Sequence, residues 1–268
     1  MSGDSMLDTL VEKVAASPGY RGIARELIAS VGMRELAKRR SLKEAVKATK
    51  SRLHQVAGAY FPQQEYARWL AMLQEASAQG REELKSACRE VVRHHASTRE
   101  RLPILDEFYT RTLGDLPPPR RVLDLGCGLN PLAIPWMPLA PDAEYRAYDV
   151  YPDLAVFLTA CLPLLGVRGT AGVADLTAAV PTEPADVAFL LKLLPPLERL
   201  DAAAPARLLD VLNTDYLLVS YPVHSLGGRR TGMVATYDAQ MQRLLAGKGW
   251  RVERFEFTTE LAVRIRKG

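Results

Sequence analysis

The stretch RVLDLGCGLNPLAIPW, Arg121 to Trp136, constrains this chain most. Val122, Leu123 and Leu125 form a short apolar run that stops at Gly126 and Gly128. A run of that length ended by glycines reads as a buried strand, a tight turn and a helix start. The turn does not fit a dinucleotide, because Pro131 stands where GxGxxG needs its third glycine. It does not fit a nucleoside triphosphate either, because no Gly-Lys-Ser/Thr end follows. Asp124, just before the first glycine, would repel a pyrophosphate and suits a ligand bearing an ammonium group. The glycines let the backbone approach that ligand closely.

The chain after this turn alternates strands and helices. Strands are expected at Arg121–Leu125, Glu144–Asp149, Gly169–Ala174, Asp186–Leu191 and Tyr216–Ser220. The segments between them are long enough for crossover helices, which implies a parallel sheet covered on both faces. RVERFEFTTELAVRIRKG then gives two strand-like runs close together, an antiparallel hairpin. A doubly wound α/β sheet closed by such a hairpin is the layout of Rossmann-like, class I methyltransferases. Two more acids follow strands: Asp149, placed to accept from ribose hydroxyls, and Asp175, placed to accept from an adenine amino group. An acid after a strand is often only a helix N-cap. Three at successive strand ends describe a nucleoside site without phosphate, and S-adenosylmethionine is the ligand that also carries the ammonium group.

Residues 1–115 read differently, as helices with no convincing strand. Ser41 with Glu44 three positions on forms a capping box for the helix that follows. ASTRERLPILDEFYTRTL reads as one helix with Pro103 in its first turns. The stiff GDLPPPR segment marks the boundary, giving a helical domain 1–115 and a Rossmann-like domain 116–268. The net charge of +4 lies wholly in the first part, with 19 Lys and Arg against 15 Asp and Glu up to Asp115. Arg34, Lys38, Arg39, Arg40, Lys43, Lys47, Lys50 and Arg52 cluster there against only Glu35 and Glu44, an electrostatic footprint for RNA phosphates. A solvated helix face is the plainer account of such a run.

Other classes are set aside. No run of 18 apolar residues exists, so no membrane partner is expected. The N-terminus lacks a basic start and an apolar block. Cys88, Cys127 and Cys161 have no CxxC spacing, which argues against a disulfide framework and against a metal site and points to the cytoplasm. His94 and His95 point to different helix faces and do not form a joint metal site.

Several longer motifs carry a resemblance. SRLHQVAGAY, HHASTRERL, RVLDLGCGLNPLA, LLKLLPPLER and SYPVHSLGGRRTGM together resemble the aminoglycoside-resistance 16S rRNA (guanine(1405)-N(7))-methyltransferases, through most of the chain. The resemblance implies S-adenosyl-L-methionine as cofactor and the 30S ribosomal subunit as partner of a monomeric, cytoplasmic enzyme, its helical domain docking on rRNA. It implies cofactor contacts from Gly126, Asp149, Asp175, Leu176 and Leu191. It also implies that Tyr60 reaches the cofactor, and that His95, Ala96, Ser97 and Arg101 close over its methionine end. Arg101 would pair with the methionine carboxylate. Lys192 matches a functionally important lysine. The chain departs from the family pattern at His224, Val234 and Leu200.

Guanine N7 carries an in-plane lone pair and no proton, so it attacks a sulfonium methyl without a general base. The chain accordingly lacks the Asp/Asn-Pro-Pro-Tyr/Phe motif that orients an exocyclic amine, and its cysteines read as packed. Catalysis is then expected from positioning, with the guanine turned out of its helix. Lys192 is expected to grip the phosphate or base edge of that nucleotide. Arg229 and Arg230 lie in a Gly-rich loop expected to close over the substrate. Tyr109 reads as a core aromatic more than a stacking partner. The rival functions are an adenine-N1 methyltransferase of the same rRNA region, a small-molecule methyltransferase of antibiotic biosynthesis, and a non-catalytic rRNA-binding module.

Overall fold

The computed structural model describes residues 3–55, 65–223 and 233–268. Up to the Pro-rich stretch the described chain is helical: α1 (Gly3–Ala15), α2 (Arg25–Leu36), α3 (Leu42–Leu53), α4 (Tyr66–Gln79), α5 (Arg81–Val92), α6 (Ala96–Arg101) and α7 (Leu105–Leu113). The N-cap bond of the expected box is there: the Ser41 hydroxyl accepts from the Glu44 amide at 3.3 Å. Replacing Ser41 with alanine should cost about 1 kcal/mol, seen as a small fall in melting temperature.

The segment expected as one helix is two. A 3-10 turn, Leu102–Ile104, separates α6 from α7. Pro103 lies inside the segment rather than at its start, and without an amide proton it breaks the α ladder there.

The second part is a seven-stranded sheet of β1 (Arg121–Leu125), β2 (Glu144–Asp149), β3 (Arg168–Val173), β4 (Ala185–Leu191), β5 (Thr214–Pro222), β6 (Arg251–Glu256) and β7 (Glu260–Arg266). Strands lie in the order β3-β2-β1-β4-β5-β7-β6. The first five pair in parallel; β7 pairs antiparallel with both β5 and β6. The expected strands match to within two residues at each end. Placing β7 inside and β6 at the edge follows from their sequences. ELAVRIR is buried up to Arg266, whereas RVERFE is mostly exposed.

Helices α8 (Pro152–Cys161), α9 (Leu194–Leu200), α10 (Ala204–Val211) and α11 (Met233–Leu245) complete the layers. Alternation along the strands sends Val122, Tyr145 and Phe189 to one face and Leu123, Leu125 and Leu190 to the other. The first face does not stop at the Pro-rich stretch. Its buried cluster continues through Phe108 and Tyr109 of α7 to Leu27 of α2 and Leu10 of α1. Tyr109 is a core aromatic, fully buried, with its ring 6.1 Å from that of Phe189. No described helix is long and apolar enough to cross a membrane.

Candidate active site

The strand order reverses between β1 and β4, so the crevice beyond their carboxyl ends is where a ligand belongs. A cleft opens there, lined mostly by apolar side chains with a few convergent polar groups, the usual make-up of a small-ligand site. His95, Ser97, Gly126, Asp149, Asp175, Leu176, Leu191 and Lys192 all line it. Residues expected at the site from places as distant as α6 and β4 therefore share one cavity.

The glycine turn has a steric reason for its composition. Gly126 and Gly128 both take left-handed conformations, φ 60° and 50°, which L side chains rarely adopt. A Cβ on Gly128 would lie 2.5 Å from His95 Cε1, and one on Gly126 would lie 2.7 Å from Leu193 Cδ1. The His95 ring thus packs flush on the turn. Burial drives the His95 pKa down to about 3, and Lys192, Arg101 and Arg99 add to the effect. The imidazole is neutral at physiological pH. Its stabilising effect is full above the ordinary histidine value near 6.5 and is lost as the pH falls through the window below it. A His95→Gln variant should lack that part of the acid sensitivity, measured as the difference between the two melting-temperature profiles from pH 7 to 4.

The two acids are prepared differently. Asp149 Oδ2 accepts from the Gly128 amide at 2.8 Å and Oδ1 from the Val150 amide at 2.7 Å. Burial pushes its carboxyl up, while these two bonds pull against it. The side chain is fixed in place, and each oxygen keeps a lone pair for a ligand hydroxyl. Asp175 Oδ1 accepts from the amide and hydroxyl of Thr177 at 2.9 and 2.7 Å. Its Oδ2 is buried with no hydrogen-bond partner. An unpaired buried carboxylate oxygen is costly, and an amino group bound in the cleft would satisfy it. Leu176 and Leu191 supply apolar surface nearby. These features fit an adenosine.

Asp124 and Arg101 do not take the places expected of them. Neither lines the cleft, and nor does Ala96. Asp124 shares its strand face with Val122 and turns inward. Its Oδ2 accepts from Asn130 Nδ2 at 2.9 Å and from the Tyr145 hydroxyl at 2.7 Å. Burial raises its pKa to about 6. It braces the turn from below. Arg101 already holds a carboxylate of the protein. Its guanidinium donates to both oxygens of Glu260 on β7, at 2.6 to 3.2 Å, and to Asn130 Oδ1 at 2.7 Å. Both partners of this ion pair are almost wholly buried. Burial pushes the Glu260 carboxyl up, but Arg101 and Lys192 outweigh it and hold the group below the usual range.

Comparison with known proteins decides what kind of site this is. Residues 16–265 match the ribosomal RNA methyltransferase (FmrO) family. The chain belongs to that family. A 16S rRNA (guanine(1405)-N(7))-methyltransferase of Frankia casuarinae is 40% identical over 99% of this chain and 95% of its own. One from Micromonospora rosea is 36% identical over 99% and 98%. Among solved structures, the 16S rRNA methyltransferase RmtF in complex with S-adenosyl-L-homocysteine superposes with a TM-score of 0.82, at 30% identity over 99% of both chains.

On this rRNA methyltransferase Lys192 follows β4 directly. It holds a left-handed backbone, φ 58°, which costs a non-glycine residue about 1 kcal/mol or more and is found at functional sites. Its Nζ donates to the Ser97 carbonyl at 3.0 Å and to Glu100 Oε2 at 2.8 Å, and lies 3.6 Å from Glu260 Oε2. The ammonium therefore ties α6 to β4 and β7 at the mouth of the cleft. The cysteines are packed: burial pushes the thiols of Cys88 and Cys161 up to about 12 and that of Cys127 well above its ordinary value.

The basic run lies on α2, α3 and the turn between them. Lys38, Arg39, Arg40 and Lys47 line a shallow open groove, with Lys43 exposed on the same helix and Lys50 half-buried. Arg39 and Arg52 pair with the buried Glu35 at 3.0 and 3.7 Å, and Arg52 also donates to the Arg199 carbonyl at 3.0 Å. Tyr60, His224, Arg229 and Arg230 lie outside the described residues, as does the side chain of Val234. Leu200 lines the cleft.

The residues missed in the sequence are Asn130, Tyr145 and Glu260 of the buried polar chain, and the half-buried Glu100 beside Lys192. Asn130 binds Arg101, Tyr109, Asp124 and Tyr145 at once. The available signal was Glu260 itself, an acid placed directly before the apolar run Leu261–Val263.

Proposed function

We propose that this enzyme methylates N7 of guanine 1405 of 16S rRNA within the assembled 30S subunit, in the cytoplasm and as a monomer, and so confers resistance to 4,6-disubstituted deoxystreptamine aminoglycosides. The observation that carries the reading is the cleft with Asp149 and Asp175 on a chain similar along nearly its whole length to methyltransferases named for that base. S-adenosyl-L-methionine supplies an electrophilic methyl group on a sulfonium. Asp149 holds the ribose hydroxyls, and the open oxygen of Asp175 takes the adenine amino group. Leu176 and Leu191 line the adenine. His95 and Ser97 also line the cleft, and the neutral His95 adds no positive charge to it. Arg101, Ala96 and Asp124 shape the pocket from behind.

No side chain is needed to remove a proton from N7, so the chain acts by orientation and exclusion of water. Lys192, at the mouth of the cleft, is placed to exchange Glu100 for a phosphate or base edge of the flipped nucleotide. Lys192→Ala should bind S-adenosyl-L-homocysteine as wild type does and lose most methylation of 30S subunits; full methylation would remove it from the mechanism. Lys38, Arg40, Lys43 and Lys47 meet rRNA phosphates, with Arg39 and Lys50 beside them; the sequence adds Arg229 and Arg230 as further cations for the RNA. For about four neutralised phosphates, raising salt from 50 to 200 mM should weaken 30S binding on the order of 100-fold. Binding that ignores salt would contradict this.

The deciding experiment incubates the protein, labelled methyl donor and 30S subunits, then maps the modified base by reverse transcription. Methyl at guanine 1405 supports the reading. Methyl at a neighbouring adenine, or equal activity on protein-free 16S rRNA, refutes it in different ways.

A further inference from the structure

Arg34 opens the basic run in sequence, yet it does not line the groove formed by Lys38, Arg39, Arg40 and Lys47. Nη1 donates to the carbonyl of Leu200, the last residue of α9, at 3.0 Å. Nη2 donates to the Thr177 hydroxyl and to Ser30 Oγ. Thr177 is the residue whose amide and hydroxyl hold Asp175 Oδ1. Arg34 thus touches two separate walls of the adenosine cleft: the loop that orients Asp175, and the end of α9, which contributes Pro196, Leu197 and Leu200 to the lining.

The rest of α2 is seated on the same site. Leu27, two turns before Arg34 and on the same helix face, itself lines the cleft. The Ala24 amide, at the helix start, donates to the Val150 carbonyl at 2.8 Å, next to Asp149. Arg52 of α3 holds the adjoining α9 carbonyl, that of Arg199.

We infer that Arg34 is a positioning residue for the adenosine half of the methyl donor: its two-armed guanidinium locks Thr177, and through it Asp175, to the C-terminal end of α9, while its basic neighbours face the RNA. A guanidinium can do this because its N–H groups lie in a fixed planar fork that spans two acceptors; an ammonium is a single point charge. The assignment rests on the reading of the cleft as the methyl-donor site. It separates the run by role: Arg34 serves the donor pocket, with Arg52 beside it, and Lys43 and Lys47 serve the RNA.

The test measures S-adenosyl-L-homocysteine affinity by calorimetry, 30S binding by filter retention, and steady-state kinetics, for wild type, Arg34→Met and Arg34→Lys. Arg34→Met should weaken S-adenosyl-L-homocysteine about tenfold, raise the KM for the methyl donor similarly, and leave kcat and 30S affinity within about twofold. Arg34→Lys, which keeps the charge but reaches one acceptor, should fall between Met and wild type; it carries the test alone if the Met variant does not fold. An Arg34→Met variant with wild-type donor affinity overturns the inference. So does a Lys variant equal to wild type, or a loss confined to 30S binding, which would make Arg34 an RNA ligand after all. If wild type itself takes up no S-adenosyl-L-homocysteine, the reading of the cleft fails instead.

Discussion

Glu260→Ala should destabilise the protein by about 3–5 kcal/mol, the usual cost of stranding one charge of a buried ion pair. Arg101 and Glu260 are 2% and 0% exposed. Without the carboxylate, the guanidinium keeps only Asn130 as a hydrogen-bond partner among the contacts described above. Ser220, whose hydroxyl donates to Glu260, and Lys192 lose a partner as well. For a chain of this size the loss corresponds to a fall in melting temperature of roughly 6–20 °C, read by circular dichroism. Glu260→Gln keeps the shape and part of the bonding and should lose less. The pH dependence follows from the sign of the shift. The Glu260 pKa is lower in the folded protein than in the unfolded chain, so its contribution is full above the unfolded value near 4.5. It is lost as the pH falls through the lower folded value. An alanine variant that melts within 1 °C of wild type would show that the pair does not support the fold.

Asp149→Ala should nearly abolish binding of the methyl donor. The side chain has two tasks at once. It accepts the Gly128 and Val150 amides, and so holds the glycine turn against the end of β2, and it offers the lone pairs that ribose hydroxyls need. A hydrogen bond to a charged group contributes about 1.5–3 kcal/mol. Loss of two such bonds to the ribose amounts to about 100-fold or more in affinity for S-adenosyl-L-homocysteine. Calorimetry on the purified variant reads this directly. Asp149→Asn retains one acceptor and should lie between the two. The fold should survive, because Asp149 sits at the rim of the sheet. A variant that unfolds would mean that the turn, more than the ligand, depends on this carboxylate. A variant that binds normally would remove Asp149 from the ribose site.

The acids show where local pattern suffices. Asp149 and Asp175 are both found where strand ends and switch point require, because strand limits follow from apolar runs and glycines within a few residues of each other. Asp124 belongs to the same pattern but faces the other way. Alternation along β1 places it on the face of Val122, and only the packing of Asn130 and Tyr145 against that face makes it a brace. Pro103 gives the opposite case: the local rule was sound, but the helix was begun in the wrong place.

From the order of its residues alone, this chain specifies a helical first part with a cationic face and a parallel sheet with a glycine turn. The acids beyond two of its strands are specified in the same way. Those features rest on periodicity, backbone freedom and charge within short windows. Tertiary structure alone decides that Arg101 is claimed by Glu260, 159 positions away, and that Arg34 reaches the cleft walls at Thr177 and Leu200 instead of the groove lined by Lys38 and Lys47. A buried cation must find its partner wherever the fold brings one. That depends on β7 slotting between β5 and β6 and on α2 lying across the ends of β2 and β3, and no local spacing records either.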